Sequence, residues 1–164
     1  TGWDFEVSYI KDHYDVMDEE EGMIIRGFEQ LLKVFPDLNI TVPTRPFPRM
    51  TIVEAKKILS SLGVSSLEDH DLSPEEERTI SEYILKEHEH EFVFITDYHK
   101  SKSAFYHMRL DEDSGRSRRA DLLYRGIEVT TLAQREHRPE ILEKQAKEKD
   151  MDLELLKDYL NCEK

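Results

Sequence analysis

The chain is poor in the features that hold small secreted or membrane domains together. Its single cysteine, Cys162, excludes an intrachain disulfide framework and fits a reducing cytosol. Apolar runs are only a few residues long, Phe92-Val93-Phe94-Ile95 being typical. A membrane-spanning helix needs about twenty, so neither a span nor a signal peptide is expected. Positive charge is also scarce: 23 Lys and Arg stand against 36 Asp and Glu, a net charge of −13. That argues against a free-standing binder of nucleic-acid backbone, which carries a basic footprint, but leaves room for a pocket that takes only the end of a nucleic acid. There is no internal repeat and no low-complexity segment. The 164 residues suffice for one domain with a sizeable core. Because the first residue is Thr1 rather than Met, the chain is expected to be a piece of something longer or a processed product.

What is present predicts a mixed fold. Thr1 to Ile10 alternates, with Trp3, Phe5 and Val7 opposite Asp4, Glu6 and Ser8, the pattern of a half-buried strand. Met17, Ile24, Phe28, Leu31, Leu32 and Phe35 make an apolar stripe on a helix over 15–35, which Pro36 ends. The acids Asp18 to Glu21 read as its solvated start, where they complement the helix dipole. Four of the six prolines fall between Pro36 and Pro48, a rigid connector with a short extended piece at 38–42. Thr51 and Glu54 form a capping box for the next helix, which Gly63 closes. A polar loop over 64–72 leads to Ser73-Pro74-Glu75-Glu76, the start of a helix to about Lys86. His88 and His90, set among glutamates, read as an exposed strand entry rather than a metal site, since no third His or Cys follows at ligand spacing. Strands are expected at 92–96 and 104–110, joined as a hairpin through a polar, basic turn. A charged loop spans 111–119, and helices are expected at 138–149 and 151–161. The whole is α+β, a mostly antiparallel sheet with flanking helices on one side.

The chain is organised around Ala120 to Arg138. Leu122, Leu123, Tyr124, Ile127 and Val129 favour a strand, yet Asp121, Glu128 and Arg135 lie in the same run. An ionised group in a half-buried sheet is costly unless paired or bound to a ligand. Either these charges form a site on a sheet face, or they are an Arg–Glu pair on a solvated face. Glu128 and Thr131 are three apart, so a regular strand points them to opposite faces and only a bulge brings them together.

These residues carry a resemblance. RGIEVTTLAQREHRPEIL resembles the strand before motif 3 of the class II aspartyl-tRNA synthetases, archaeal-type, which reads RGxEIxSGGQREHR. TGWDFEVSYI is similar to the strand after motif 2, TGLDxEM. PFPRMTIVEAKKIL resembles the family's PFPR segment, and FITDYHKSKSAFYHMRL its FxTDYPxxxKPFYxM segment. The resemblance covers nearly the whole chain.

It implies a segment of a class II catalytic domain that uses ATP and Mg2+ to activate aspartate and passes it to tRNA, cytoplasmic and homodimeric when complete, with no membrane association. It implies Asp4, Tyr106 and Arg135 at aspartate, with Asp4 at the amino group and Arg135 as the planar donor for the side-chain carboxylate. It implies Asp121, Glu128 and Thr131 at ATP, the two carboxylates holding Mg2+. Glu6 would lie near the ATP end, and Gln134, Glu136 and His137 would support Arg135. Motif 1, the motif 2 arginine, motif 3 and the anticodon-binding domain are absent from these residues. They therefore read as a single partial domain, 1–164, inactive alone, whose sheet leaves apolar surface exposed. His99 stands in place of proline, Ser103-Ala104 in place of Lys-Pro, and Leu132 in place of a glycine, where it would crowd the amino-acid pocket. Two other readings share the resemblance: a paralogue that makes asparagine from aspartate, ATP and ammonia, and a non-catalytic dimerisation or regulatory module.

Overall fold

The computed structural model describes residues 2–111 and 115–162, with side chains to residue 160. Its frame is a four-stranded sheet in the order β1-β2-β3-β4. The apolar strand β2 (Phe92–Thr96) is central and buried throughout. It pairs in parallel with β1 (Arg49–Thr51) and antiparallel with β3 (Arg119–Tyr124), which pairs antiparallel with β4 (Ile127–Ala133). Alternate residues of β2 serve two cores, as a strand covered on both faces must. Val93 and Ile95, with Leu123, pack under α2 (Ile52–Ser61) and α3 (Pro74–His88). Phe92 and Phe94, with Ala120 and Leu122, pack under α1 (His13–Val34) through Met17 and Phe28. The α+β class and mostly antiparallel sheet are as read, but helices cover both faces rather than one.

Local chemistry explains the element ends. Asp12 accepts from the Tyr14 N–H and caps α1. Thr51 with Glu54 and Ser73 with Glu76 make reciprocal capping boxes on α2 and α3. Lys56 Nζ donates to Glu76 at 2.6 Å and ties the two helices together. Between β3 and β4 the chain turns in two residues, Arg125 (φ 49°) and Gly126 (φ 81°), both left-handed, the geometry whose twist suits a hairpin. A Cβ on Gly126 would sit 2.9 Å from Arg78 Cα, so only glycine lets α3 lie against this turn. The apolar run 122–129 is therefore a hairpin, not one strand.

Several expectations are corrected. Residues 2–10 form no strand: no ladder partner lies beside them among the described residues, and Trp3 and Tyr9 stand almost fully exposed. Residues 104–110 make only isolated bridges, His107 to Arg135 and Arg109 to Ser117, because β3 and β1 already fill both edges of β2. The piece at 38–42 is not a strand; the connector pairs at Arg49–Thr51 instead. The acidic run of α1 is not a solvated start. Glu21 is buried and accepts from Arg49 (2.8 Å) and the Phe47 N–H (3.2 Å), and Asp18 also pairs with Arg49, so these acids clamp the connector to the helix. His90 is buried too, bonded to the Thr44 carbonyl (3.1 Å) and packed on Phe47. After α4 (Pro139–Lys147), the last helix, α5 (Lys157–Cys162), is shorter than expected. Of the charged loop read at 111–119, residues 112–114 lie outside the described residues, as do Thr1 and residues 163–164.

At the start of α1, His13 is fully buried. Its Nε2 lies 3.8 Å from Asp97 Oδ1, and neither ring nitrogen has a hydrogen-bond partner among the described residues. Burial pushes its pKa down to about 4, with Asp12 acting the other way and Arg118 and Arg49 adding to the fall. A histidine with a depressed folded pKa supplies stability above its unfolded value that is lost as pH falls towards the folded one. Between pH ~6.5 and ~4 the loss at His13 reaches about 3 kcal/mol. The carboxyls of buried Glu20 and partly buried Asp97, which desolvation pushes upward, act in the opposite sense. Urea unfolding of the parent and of H13Q at pH 7 and pH 4.5 separates the two effects: the parent should lose more stability on acidification than the variant, and equal losses would contradict this role.

Candidate functional site

The hairpin β3–β4 sets the site. Leu122 pairs with Thr130 and Leu123 with Glu128, so Val129 is an extra residue in β4. This bulge turns Glu128 and Thr131 to one face, and Thr131 Oγ1 donates to Glu128 Oε1 at 3.0 Å. Asp121 is the cross-strand partner of Thr131 and shares that face. Asp121 is buried and takes the Arg119 guanidinium through Nε (3.2 Å) and Nη2 (2.7 Å), while Arg119 lies 4.4 Å from the Tyr98 ring centroid. Burial pushes the Asp121 carboxyl up, Arg119 pulls it down and Glu128 pushes it up again; the net direction is upward. Glu77 of α3 is raised by burial and then by Glu128 and Asp121. Glu128 itself is exposed.

A cavity of about 470 Å³ lies beside the outer edge of β4. Asp4, Glu6, Tyr106, Thr131 and Arg135 all line it. Arg135 forms an ion pair with Glu6, and its guanidinium lies 5.3 Å from the Tyr106 ring centroid. Glu6 thus stands at the arginine, not at the Asp121–Glu128 end. Thr131 belongs to both groups and joins them. Gln134 and Glu136 fix the main chain on either side of Arg135 rather than touching its guanidinium. Gln134 Oε1 accepts from Arg118 (2.7 Å), and buried Glu136 accepts from the Arg138 N–H (3.0 Å) and guanidinium (2.8 Å). His137 lines the cavity. Leu132 also borders it, but its side chain packs on the α1 core, so it crowds the space less than expected.

Glu20 and His107 are among the lining residues that the sequence did not point to. Glu20, buried in α1, bonds Thr130 through Oε1 and leaves Oε2 without a partner among the described residues. Its place on the Met17–Ile24 stripe was the signal for its burial. His107, next to Tyr106, carried no periodic signal.

Among the described residues, no three His, Cys, Asp or Glu side chains are placed to hold a metal ion. The donors that do converge, Asp121, Glu128 and Thr131, are hard oxygens. Glu128 raises the affinity of Asp121 for a proton, and a divalent cation would relieve the same repulsion. This set fits an ion that takes the rest of its ligands from phosphate and water.

The family model described as "tRNA synthetases class II (D, K and N)" matches residues 1–164. The aspartate–tRNA(Asp) ligase of Pyrococcus furiosus is 34% identical over 166 residues, which cover 97% of this chain and 38% of that protein. The aspartate–tRNA(Asp/Asn) ligase of Thermus thermophilus is 38% identical over 164 residues, covering 96% and 38%. The chain thus spans well under half the length of these curated relatives. Among solved structures, the aspartyl-tRNA synthetase of Entamoeba histolytica superposes with a TM-score of 0.85 at 28% identity, covering 94% of this chain and 34% of that one. The asparaginyl-tRNA synthetase of Pyrococcus horikoshii gives 0.80 at 27%, covering 94% and 38%. The chain belongs to the class II tRNA synthetases of the aspartate, lysine and asparagine group.

Proposed function

We propose that, in the complete protein, these residues form part of the site of an aspartate–tRNA ligase. An α-carboxylate oxygen of aspartate attacks the α-phosphorus of ATP and pyrophosphate leaves. A hydroxyl of the terminal tRNA ribose then attacks the aspartyl carbonyl and AMP leaves. The observation that carries this reading is one cavity in which Arg135, Tyr106 and Asp4 meet Thr131, itself paired with Asp121 and bonded to Glu128. Arg135 would take the side-chain carboxylate in place of Glu6, and Asp4 the ammonium. Both substrates are anionic, so catalysis is mainly positioning and charge neutralisation. Asp121 and Glu128 would hold Mg2+, which when bound neutralises phosphate charge. The reading carries with it a cytoplasmic homodimer, as the resemblance implies. The relatives' names support aspartate.

One observation favours a second reading. The cavity is lined by three carboxylates, Asp4, Glu6 and Glu20, against the single arginine Arg135. That balance suits the neutral side chain of asparagine better than a second carboxylate. Amino-acid-dependent pyrophosphate exchange by the complete protein, run with aspartate and with asparagine, decides between the two. Exchange with aspartate and not asparagine supports the ligase proposed here, and the reverse pattern overturns it.

Arg135→Leu should lower aspartate-dependent exchange by at least about thirty-fold, because a charged pair loses its cation, while ATP binding persists. Near-normal turnover would remove Arg135 from the site. Glu128→Ala should shift the magnesium titration of the same reaction to higher concentration; an unchanged titration would count against its role.

A further inference from the structure

Gln145 of α4 is buried at 3% exposure. Its Nε2 donates to the carbonyls of Phe105 (2.6 Å) and His107 (3.2 Å), the two residues that flank Tyr106. These bonds fix the amide's orientation and leave Oε1, which can only accept, buried without a partner among the described residues. Buried Nδ1 of His107 is likewise unpartnered. Both side chains line a small cavity of about 10 Å³, beside the hydroxyls of Ser103 and Ser117. That is room for the centre of one water molecule, and the two orphaned acceptors supply the two partners a water needs, the Ser103 and Ser117 hydroxyls being bonded already to each other and to the Tyr98 carbonyl.

We propose that a single water bound in this cavity joins Gln145 Oε1 to His107 Nδ1, and that Gln145 is thereby a positioning residue for Tyr106 and His107. The water donates one hydrogen to the amide oxygen and the other to Nδ1. The imidazole then carries its proton on Nε2. A neutral ring suits its setting, since burial and the charges of Arg119 and Arg135 hold His107 down at about 4. The arrangement clamps the chain on both sides of Tyr106, whose ring lies against Arg135. Its effect on substrate rests on the reading of the larger cavity as the amino-acid site; the water and the ring tautomer do not.

The test uses the complete protein. A crystal structure that resolves solvent should show one water within hydrogen-bond distance of Gln145 Oε1 and His107 Nδ1. The 15N shifts of the His107 ring should report an accepting Nδ1 and a protonated Nε2, and Q145L should move both. Q145L should raise KM for the amino acid about ten-fold, with kcat and KM for ATP little changed. If Q145L does not fold, Q145N, whose amide is one methylene short of the cavity, should give the same ring shifts. A cavity without water density, or ring shifts that Q145L or Q145N leaves unchanged, overturns the proposal. Failure of the complete protein to activate either amino acid would instead overturn the substrate reading, because density and ring shifts are measured without turnover.

Discussion

Val129 has no partner across the β3–β4 hairpin, and the placement of the charged residues depends on that. With the extra residue, Leu123 faces Glu128 and Asp121 faces Thr131, so both β4 residues join Asp121 on the α2/α3 face. Without it, strand alternation would send Glu128 to the α1 side, into the aromatic packing of Phe28, Phe92 and Tyr124. The turn is held from outside by the close approach of α3 to Gly126, which fixes the register at the turn end of the bulge.

Around this hairpin the charged groups sort by what they touch. Glu21 is buried and spent on Arg49, and Glu136 is buried and spent on Arg138. Removing one partner of such a pair leaves an uncompensated charge, which is why these serve as fixed points. Arg135 and Glu128 differ. Both are exposed, and Arg135's partner Glu6 is 67% exposed, so that ion pair contributes little and is easily exchanged for a ligand's carboxylate. The buried pairs set the geometry and the exposed members remain open for exchange.

The sequence was legible where local chemistry dictates structure. The capping boxes at Thr51 and Ser73, the apolar stripe of α1 and the buried strand at Phe92 are short-range signals, and the structure has each. The need for a bulge between Glu128 and Thr131 followed from parity once the resemblance put both at one site. Long-range choices were not legible. Which strand would sit beside β2 depends on competition between 104–110 and 119–124, and alternation does not rank them. The strand pattern at 2–10 is real, but a strand needs a neighbour, and none is beside it among the described residues. The burial of Glu20 and Glu21 depends on where the connector returns, which the acidic run does not reveal. What Gln145 holds was not legible either, since only its two carbonyl contacts show it.

The most direct measurement is a crystal structure of the complete protein with a non-hydrolysable aspartyl-adenylate analogue. The account predicts the Arg135 guanidinium on the analogue's side-chain carboxylate, released from Glu6, the Tyr106 ring against the same group, and the nucleotide end turned towards Thr131 and Glu128. An analogue bound elsewhere, or one bound while Arg135 stays paired with Glu6, would contradict it.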